Sequence, residues 1–353
     1  FDLEHHLRRS VLPGARGKPE LQRFVADLAS TPLNPARPLW ELHLVETALG
    51  GDALIMRVHH CIADGIALIS VTMSLVDGGS EPPKRSKKTT ANAEAWITDT
   101  LIKPFTGMTV KALDLVGDSA AKSLHMLLDP EKAVQHGLAG SMDAARLGYQ
   151  LLSDAAALAL MPDDSPTRLK GMPGTTKRVA WCPPLPLDEV KAIGKALNCS
   201  VNDVLLSCVA GAIGSYLRRH GDDTTGKEIR AMIPVNLRPM EEAWKLGNHF
   251  GLVPLVLPIG ITNPIERVYA VRSRMAALKG STQPLLAFGL LAVAGLLIKP
   301  AQDALLGLFS RKTTAVMTNV PGPREQLALC GSRVTQCMFW VPQSGHVGLG
   351  VSI

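Results

Sequence analysis

Trp40 to Glu46 (Trp-Glu-Leu-His-Leu-Val-Glu) alternates large apolar with polar residues, and Ala53 to Val58 is a short apolar run ending at His59-His60. Both patterns predict strands, joined as a hairpin across Leu49-Gly50-Gly51-Asp52. Beyond Asp64-Gly65, Ile66, Ile69, Met73 and Val76 recur at spacings of three and four, which predicts a helix over 66–76 packed on that hairpin. The histidine pair therefore stands where a strand turns into a helix, a place from which side chains project into a crevice. The same periods predict helices over 187–197, 201–219 and 265–278, and strands near 229–235, 252–257, 315–320 and 334–341. Between the two regions, 79–92 mixes Pro, Ser and Thr with Lys84, Arg85, Lys87 and Lys88 and reads as an exposed linker. Residues 110–160 are rich in Ala and Leu, broken at Asp129-Pro130 and at Gly137 to Gly140, and read as two or three long helices. The expected architecture is α/β: a first half over 1–82, a linker and helical crossover over 83–175, and a second half over 176–353. No repeat at a fixed period is present, which argues against a solenoid.

A chain of 353 residues has room for two domains at roughly 150 residues each. Charged residues make up 19%, below the roughly 25% of ordinary soluble domains, and hydrophobic residues 46%, so the chain is globular and oily. Aromatic residues, at 4%, are too few for the stacking platforms that bind single-stranded nucleic acid, and nucleic acid is not an expected partner. The net charge of +6 comes from residues 176–353, which hold 19 basic and 11 acidic side chains. That excess suits phosphate groups or anionic lipid, although a solubilising charge explains it equally well. Six cysteines without C-x-x-C spacing indicate neither a zinc site nor a disulfide framework, and a cytoplasmic setting is expected. Phe1 is followed by no basic and apolar leader, so no signal peptide is expected. The longest uncharged apolar run, Leu285 to Ile298, is shorter than the roughly 20 residues that span a bilayer.

The sharpest feature is His59-His60-Cys61-Ile62-Ala63-Asp64-Gly65, an HHxxxDG pattern. A metal reading finds His and Asp but no third ligand nearby. A structural reading makes the histidines packing or capping residues. A catalytic reading uses one imidazole at a crevice as general base, since its ordinary pKa of about 6.5 lies near working pH. Asp64 then orients the turn through an Arg or a backbone contact, and Gly65 either makes room for a substrate tail or serves the turn.

On these residues the chain resembles the bacterial wax ester synthase/diacylglycerol acyltransferase family, within the CoA-dependent acyltransferases that include chloramphenicol acetyltransferase and peptide-synthetase condensation domains. HHxxxDG alone marks only the superfamily. The narrower likeness adds Pro38-Leu39-Trp40, Asn202-Asp203-Val204-Leu205-Leu206, Pro234-Val235-Asn236-Leu237-Arg238, Gly247-Asn248 and Thr318-Asn319-Val320-Pro321-Gly322-Pro323, in family order. Asn236 stands where the family often has Ser. Family members extend beyond both ends of this chain, so the resemblance implies a first sheet lacking its natural start.

The resemblance implies two chloramphenicol acetyltransferase-like α/β domains joined by a helical crossover, with the active site between them. It implies transfer of a long-chain acyl group from acyl-CoA, a substrate and not a cofactor, to a long-chain alcohol or diacylglycerol. His60 is then the general base and His59 a positioning residue, and Cys61 as nucleophile is disfavoured because the base already activates the acceptor. Thr318 and Asn319 are the oxyanion candidates, Asn319 also being a turn residue by type. Asn202 and Asp203 fit helix capping and, by resemblance, support of the site from the second half. Pro38, Leu39 and Trp40 shape the site. An inactive lipid-binding or droplet-coating relative is the rival reading, against which His60 and Asp64 are intact; amide-forming condensation lacks a visible carrier domain. A location at a membrane or lipid-droplet surface follows from substrates insoluble in water.

Overall fold

The computed structural model describes residues 2–79, 161–237, 245–279, 299–320, 326–341 and 346–353, with Gln283, Pro284, Ala287, Gly322 and Gln343. The expected helical crossover over 110–160 and most of the apolar run Leu285 to Ile298 lie outside the described residues.

The first sheet has three strands in the order β1 (Leu7–Val11), β2 (Trp40–Glu46), β3 (Ala53–Val58). β1 runs parallel to β2, and β2 pairs antiparallel with β3 as the alternation predicted, Trp40 opposite Val58 and Val45 opposite Ala53. Helix α1 (Lys18–Ser30) starts with Pro19 in its first turn and with the Glu20 carboxylate accepting the Gly17 N–H at 3.0 Å. Its Leu21 and Val25 bury against Leu12 and Val45, with Phe24, Ile55 and Trp181 around them. On the same face His43 is buried against Phe24, and that burial pushes its imidazole below the ordinary histidine range. Arg57, held by Glu41 at 2.9 Å, also donates to the Thr31 carbonyl at the end of α1. Helix α2 (Gly65–Leu75) follows β3, within one residue of the predicted span.

The second sheet has the order β5 (Phe250–Leu257), β4 (Ile229–Asn236), β6 (Ala315–Thr318), β9 (Leu349–Ser352). β4 and β5 are antiparallel; β4 with β6 and β6 with β9 are parallel. Helices α3 (Leu187–Ala196), α4 (Val201–Arg219), α5 (Pro264–Lys279) and α6 (Lys299–Arg311) accompany it. In α4 the buried residues Asp203, Leu206, Ala210, Ile213 and Leu217 recur every three or four positions. That stripe packs on Ile229, Ala231, Leu255, Leu257 and Met317. Each such Leu or Ile side chain contributes about 1.5–3 kcal/mol by leaving water. Asp164 pins the chain before α3 to this sheet: its carboxylate accepts the Arg230 N–H at 2.9 Å and the Thr314 hydroxyl at 2.6 Å, and burial pushes its pKa up.

One strand differs from the sequence reading. Residues 334–341 form no strand; β7 (Ala328–Leu329) and β8 (Ser332–Arg333) make a small hairpin before them, and Trp340 instead meets the Trp181 ring at 6.0 Å. The ladder position beside β6 is taken by Leu349–Ser352 instead. The hairpin is fastened to the first half by Asp77, which follows α2 and whose carboxylate accepts the N–H groups of Cys330 and Gly331 at 2.9 and 2.6 Å. All six cysteines are free. Among the described residues no single helix is long and apolar enough to cross a membrane.

Close packing of α4 gives a direct test. A Cβ on Gly214 would overlap the Ile259 carbonyl oxygen, whereas one on Gly307 in α6 would meet nothing within 4 Å. Gly214→Ala is expected to lower unfolding stability by about 1–3 kcal/mol in urea denaturation. Gly307→Ala is expected to be neutral or to stabilise by roughly 0.5–1 kcal/mol.

Candidate active site

β3 ends at Val58, and the next six residues form the turn into α2. The His59 N–H donates to the Leu39 carbonyl at 2.9 Å, which ties the turn to the segment entering β2. The Ile62 N–H closes back on the His59 carbonyl at 3.0 Å, and the Cys61 N–H donates to His59 Nδ1 at 3.2 Å. His59 is thus occupied by its own turn, although its side chain is exposed. His60 is half-buried, and the Phe250 ring meets its imidazole edge-on at 5.7 Å.

Asp64 joins the two halves of the molecule. It is the N-cap of α2, where Oδ1 accepts the Ala67 N–H at 3.0 Å, the position at which a carboxylate satisfies an orphan donor and complements the helix dipole. Its Oδ2 accepts the His249 N–H of the second half, also at 3.0 Å. The backbone does the same around it: the Asp64 N–H donates to the Gly247 carbonyl, the Gly247 N–H donates to the Ile62 carbonyl, and Ala63 and Gly247 form a parallel bridge. Gly247 has φ +113, a conformation that a residue with a Cβ rarely adopts. Asn248 completes the seam by donating from its side-chain amide to the His60 carbonyl at 2.9 Å. Asp64 is only 5% exposed, so each of its charge-assisted hydrogen bonds is worth about 1.5–3 kcal/mol. The orienting contact expected of Asp64 is therefore made to backbone donors, one of them in the other half.

The end of β6 also reaches this place. A Cβ on Gly65 would stand 3.9 Å from the Val320 side chain, so Thr318-Asn319-Val320 lies against the first turn of α2. Thr318 is half-buried, and Asn319 is exposed and donates from its amide to Asn202 Oδ1. Asn202 stands in the first turn of α4, one residue before Asp203. Capping by these two needs correction: the N-cap is Ser200, whose hydroxyl accepts the Asp203 N–H at 3.2 Å, and Asp203 is the returning partner, accepting the Ser200 N–H at 2.8 Å. The helix starts one residue before Asn202, which leaves the Asn202 side chain for Asn319. Pro38 is exposed, whereas Leu39 and Trp40 are half-buried beneath the turn.

Sequence reading missed Asn248, His249 and Phe250 as site residues. Their signal was the Gly247-Asn248 pair, which has no chemistry of its own until Asp64 and His60 are seen opposite it. Among the described residues no three His, Cys, Asp or Glu side chains stand together as a metal site. The arrangement holds the HHxxxDG turn, with the half-buried His60 imidazole, against residues 247–250 of the second half, and the end of β6 reaches the first turn of α2.

The family model described as wax ester synthase/diacylglycerol acyltransferase catalytic domain matches residues 1–205, and that of the C-terminal domain matches 246–353. A Mycobacterium tuberculosis protein named as a probable diacylglycerol O-acyltransferase is 28% identical over 339 residues, covering 95% of this chain and 68% of the relative. A second protein of that organism with the same kind of name is 31% identical over 342 residues, covering 94% and 70%. The fold is similar to that of the wax ester synthase/diacylglycerol acyltransferase from Marinobacter aquaeolei VT8, with a TM-score of 0.55, 21% identity, and 95% and 67% of the two chains covered. With both of its halves matched by the family and the HHxxxDG turn clamped between them, the chain belongs to the wax ester synthase/diacylglycerol acyltransferase family.

Proposed function

We propose that the protein moves a long-chain acyl group from acyl-CoA to the hydroxyl of a long-chain alcohol or a diacylglycerol, giving a wax ester or a triacylglycerol, with His60 as general base. The observation that carries this reading is the seam at Asp64, Gly247 and His249, which holds an intact HHxxxDG turn and with it the half-buried His60 imidazole. The acceptor hydroxyl gives its proton to His60 as its oxygen attacks the thioester carbonyl. The tetrahedral intermediate places negative charge on the former carbonyl oxygen, for which Thr318 and Asn319 are the donors proposed; such a donor is typically worth about 2.7–4 kcal/mol. When the carbon–sulfur bond breaks, the imidazolium returns the proton to the leaving thiolate of CoA. Oxygen, carbon and sulfur are then accounted for without an acyl-enzyme, and Cys61 has no part in the chemistry.

The remaining residues have positioning roles in this scheme. His59 accepts the Cys61 N–H and holds the turn, Asp64 holds it to the second half, and Asn202 holds Asn319. The same proposal places the enzyme in the cytoplasm at the surface of a membrane or lipid droplet, where its substrates reside. Leu7, Val11, Leu44 and Leu54 are 40–57% exposed and share one face of the first sheet, and residues 176–353 carry the basic excess that anionic headgroups attract.

Two outcomes are expected. With a labelled long-chain acyl-CoA and a panel of alcohols and diacylglycerols, His60→Ala should lose about 10²–10⁴-fold in transfer at unchanged circular dichroism, while His59→Ala loses less; full activity in both would remove the base assignment. Liposome flotation should show binding of the full-length protein to anionic vesicles at low salt, weakening as salt rises; no binding under those conditions would remove the surface location.

A further inference from the structure

We propose that His6 is a positioning residue for the catalytic turn, acting through Trp40 and Leu39. His6 lies between a short 3-10 turn (Leu3–His5) and β1, and it is 3% exposed. Its Nδ1 is 2.7 Å from the Trp40 carbonyl oxygen, and its ring stacks on the Trp40 indole at 4.4 Å between centroids. A carbonyl oxygen only accepts, so Nδ1 carries the proton and donates. The backbone of His6 is fixed as well, its carbonyl accepting the Leu42 N–H at 2.7 Å and its N–H donating to the Leu3 carbonyl at 2.9 Å.

Trp40 is the point at which this matters. Leu39, the residue before it, supplies the carbonyl that accepts the His59 N–H, and Trp40 itself pairs with Val58, the residue before His59. Leu39 thus accepts the backbone N–H of the motif's first residue and Trp40 is the strand partner of the residue before it, and His6 grips Trp40 at its carbonyl and its ring together. An aromatic hydrocarbon would fill the stack equally well but would leave the part-buried carbonyl without this donor. The imidazole is thus suited to setting the position of the strand from which the turn departs, a role distinct from touching substrate.

The inference rests on the reading of His60 as base, and the test separates the two. His6→Phe keeps a stacked ring and removes the donor; His6→Asn removes the ring and keeps an amide donor near the place of Nδ1. In the full-length protein, with a labelled long-chain acyl-CoA and a long-chain alcohol, His6→Phe should lower kcat on the order of tenfold to 100-fold with KM for acyl-CoA unchanged, the size of effect a displaced reacting group produces. His6→Asn should recover most of that kcat. Wild-type kcat in His6→Phe, or equal losses in both variants together with lowered melting temperature or failure to fold, would overturn the inference and leave His6 a packing residue. Full activity of His60→Ala would instead remove the base assignment, and this inference with it.

Discussion

One buried carboxylate holds the candidate site together. Asp64 caps the helix that follows the HHxxxDG turn with one oxygen and accepts a backbone N–H of the other half with its second. A turn fastened only to its own strand and helix would leave the His60 imidazole aimed by local geometry alone. Fastened across the seam at Ala63–Gly247 as well, its direction depends on how the two sheets meet. The arrangement couples folding to chemistry, because the donors proposed for the oxyanion belong to the half that the clamp draws in.

The same economy runs through the neighbouring contacts. Asn248 and Phe250 follow Gly247 and engage His60 at its carbonyl and its ring. Leu39 holds His59 from below, and Asn202 holds Asn319 from the start of α4. Short motifs far apart in the chain thus serve one another as supports: Pro38-Leu39-Trp40 for the histidines, Gly247-Asn248 for the turn, and Asn202 for the end of β6. In the proposed reaction His60 exchanges the proton with substrate, and these neighbouring residues hold it and its turn in place.

Much of the fold was legible because burial imposes a period. The alternation of Trp40 to Glu46 and the three-four spacing in α4 each answer to one packed face, and both elements stand where that pattern placed them. β1 and β9 carry no such signal: β1 contains Arg8 and Arg9 and stays largely exposed, and β9 is four residues long and defined by its ladder with β6. Residues 334–341 had the apolar content of a strand but form none, and the place beside β6 goes to β9; apolar content does not say which segment takes a ladder position. The HHxxxDG turn was legible from His59, His60 and Asp64. Their supports were not: Gly247-Asn248 is visible as a pair, but Asn248, His249 and His6 make contacts to groups far away in sequence, and residue type does not say which.

The most direct test of the clamp is Asp64→Asn, assayed for acyl transfer and melting temperature on the same preparation. An amide can accept from only one of the two backbone donors and presents its own N–H to the other, so one bond, worth about 1.5–3 kcal/mol while charge-assisted, is lost and the other loses its charge assistance. If Asp64 acts by holding the turn, transfer activity and melting temperature fall together. Activity abolished at an unchanged melting temperature would give Asp64 a direct chemical role, and wild-type values of both would show that the turn does not depend on it.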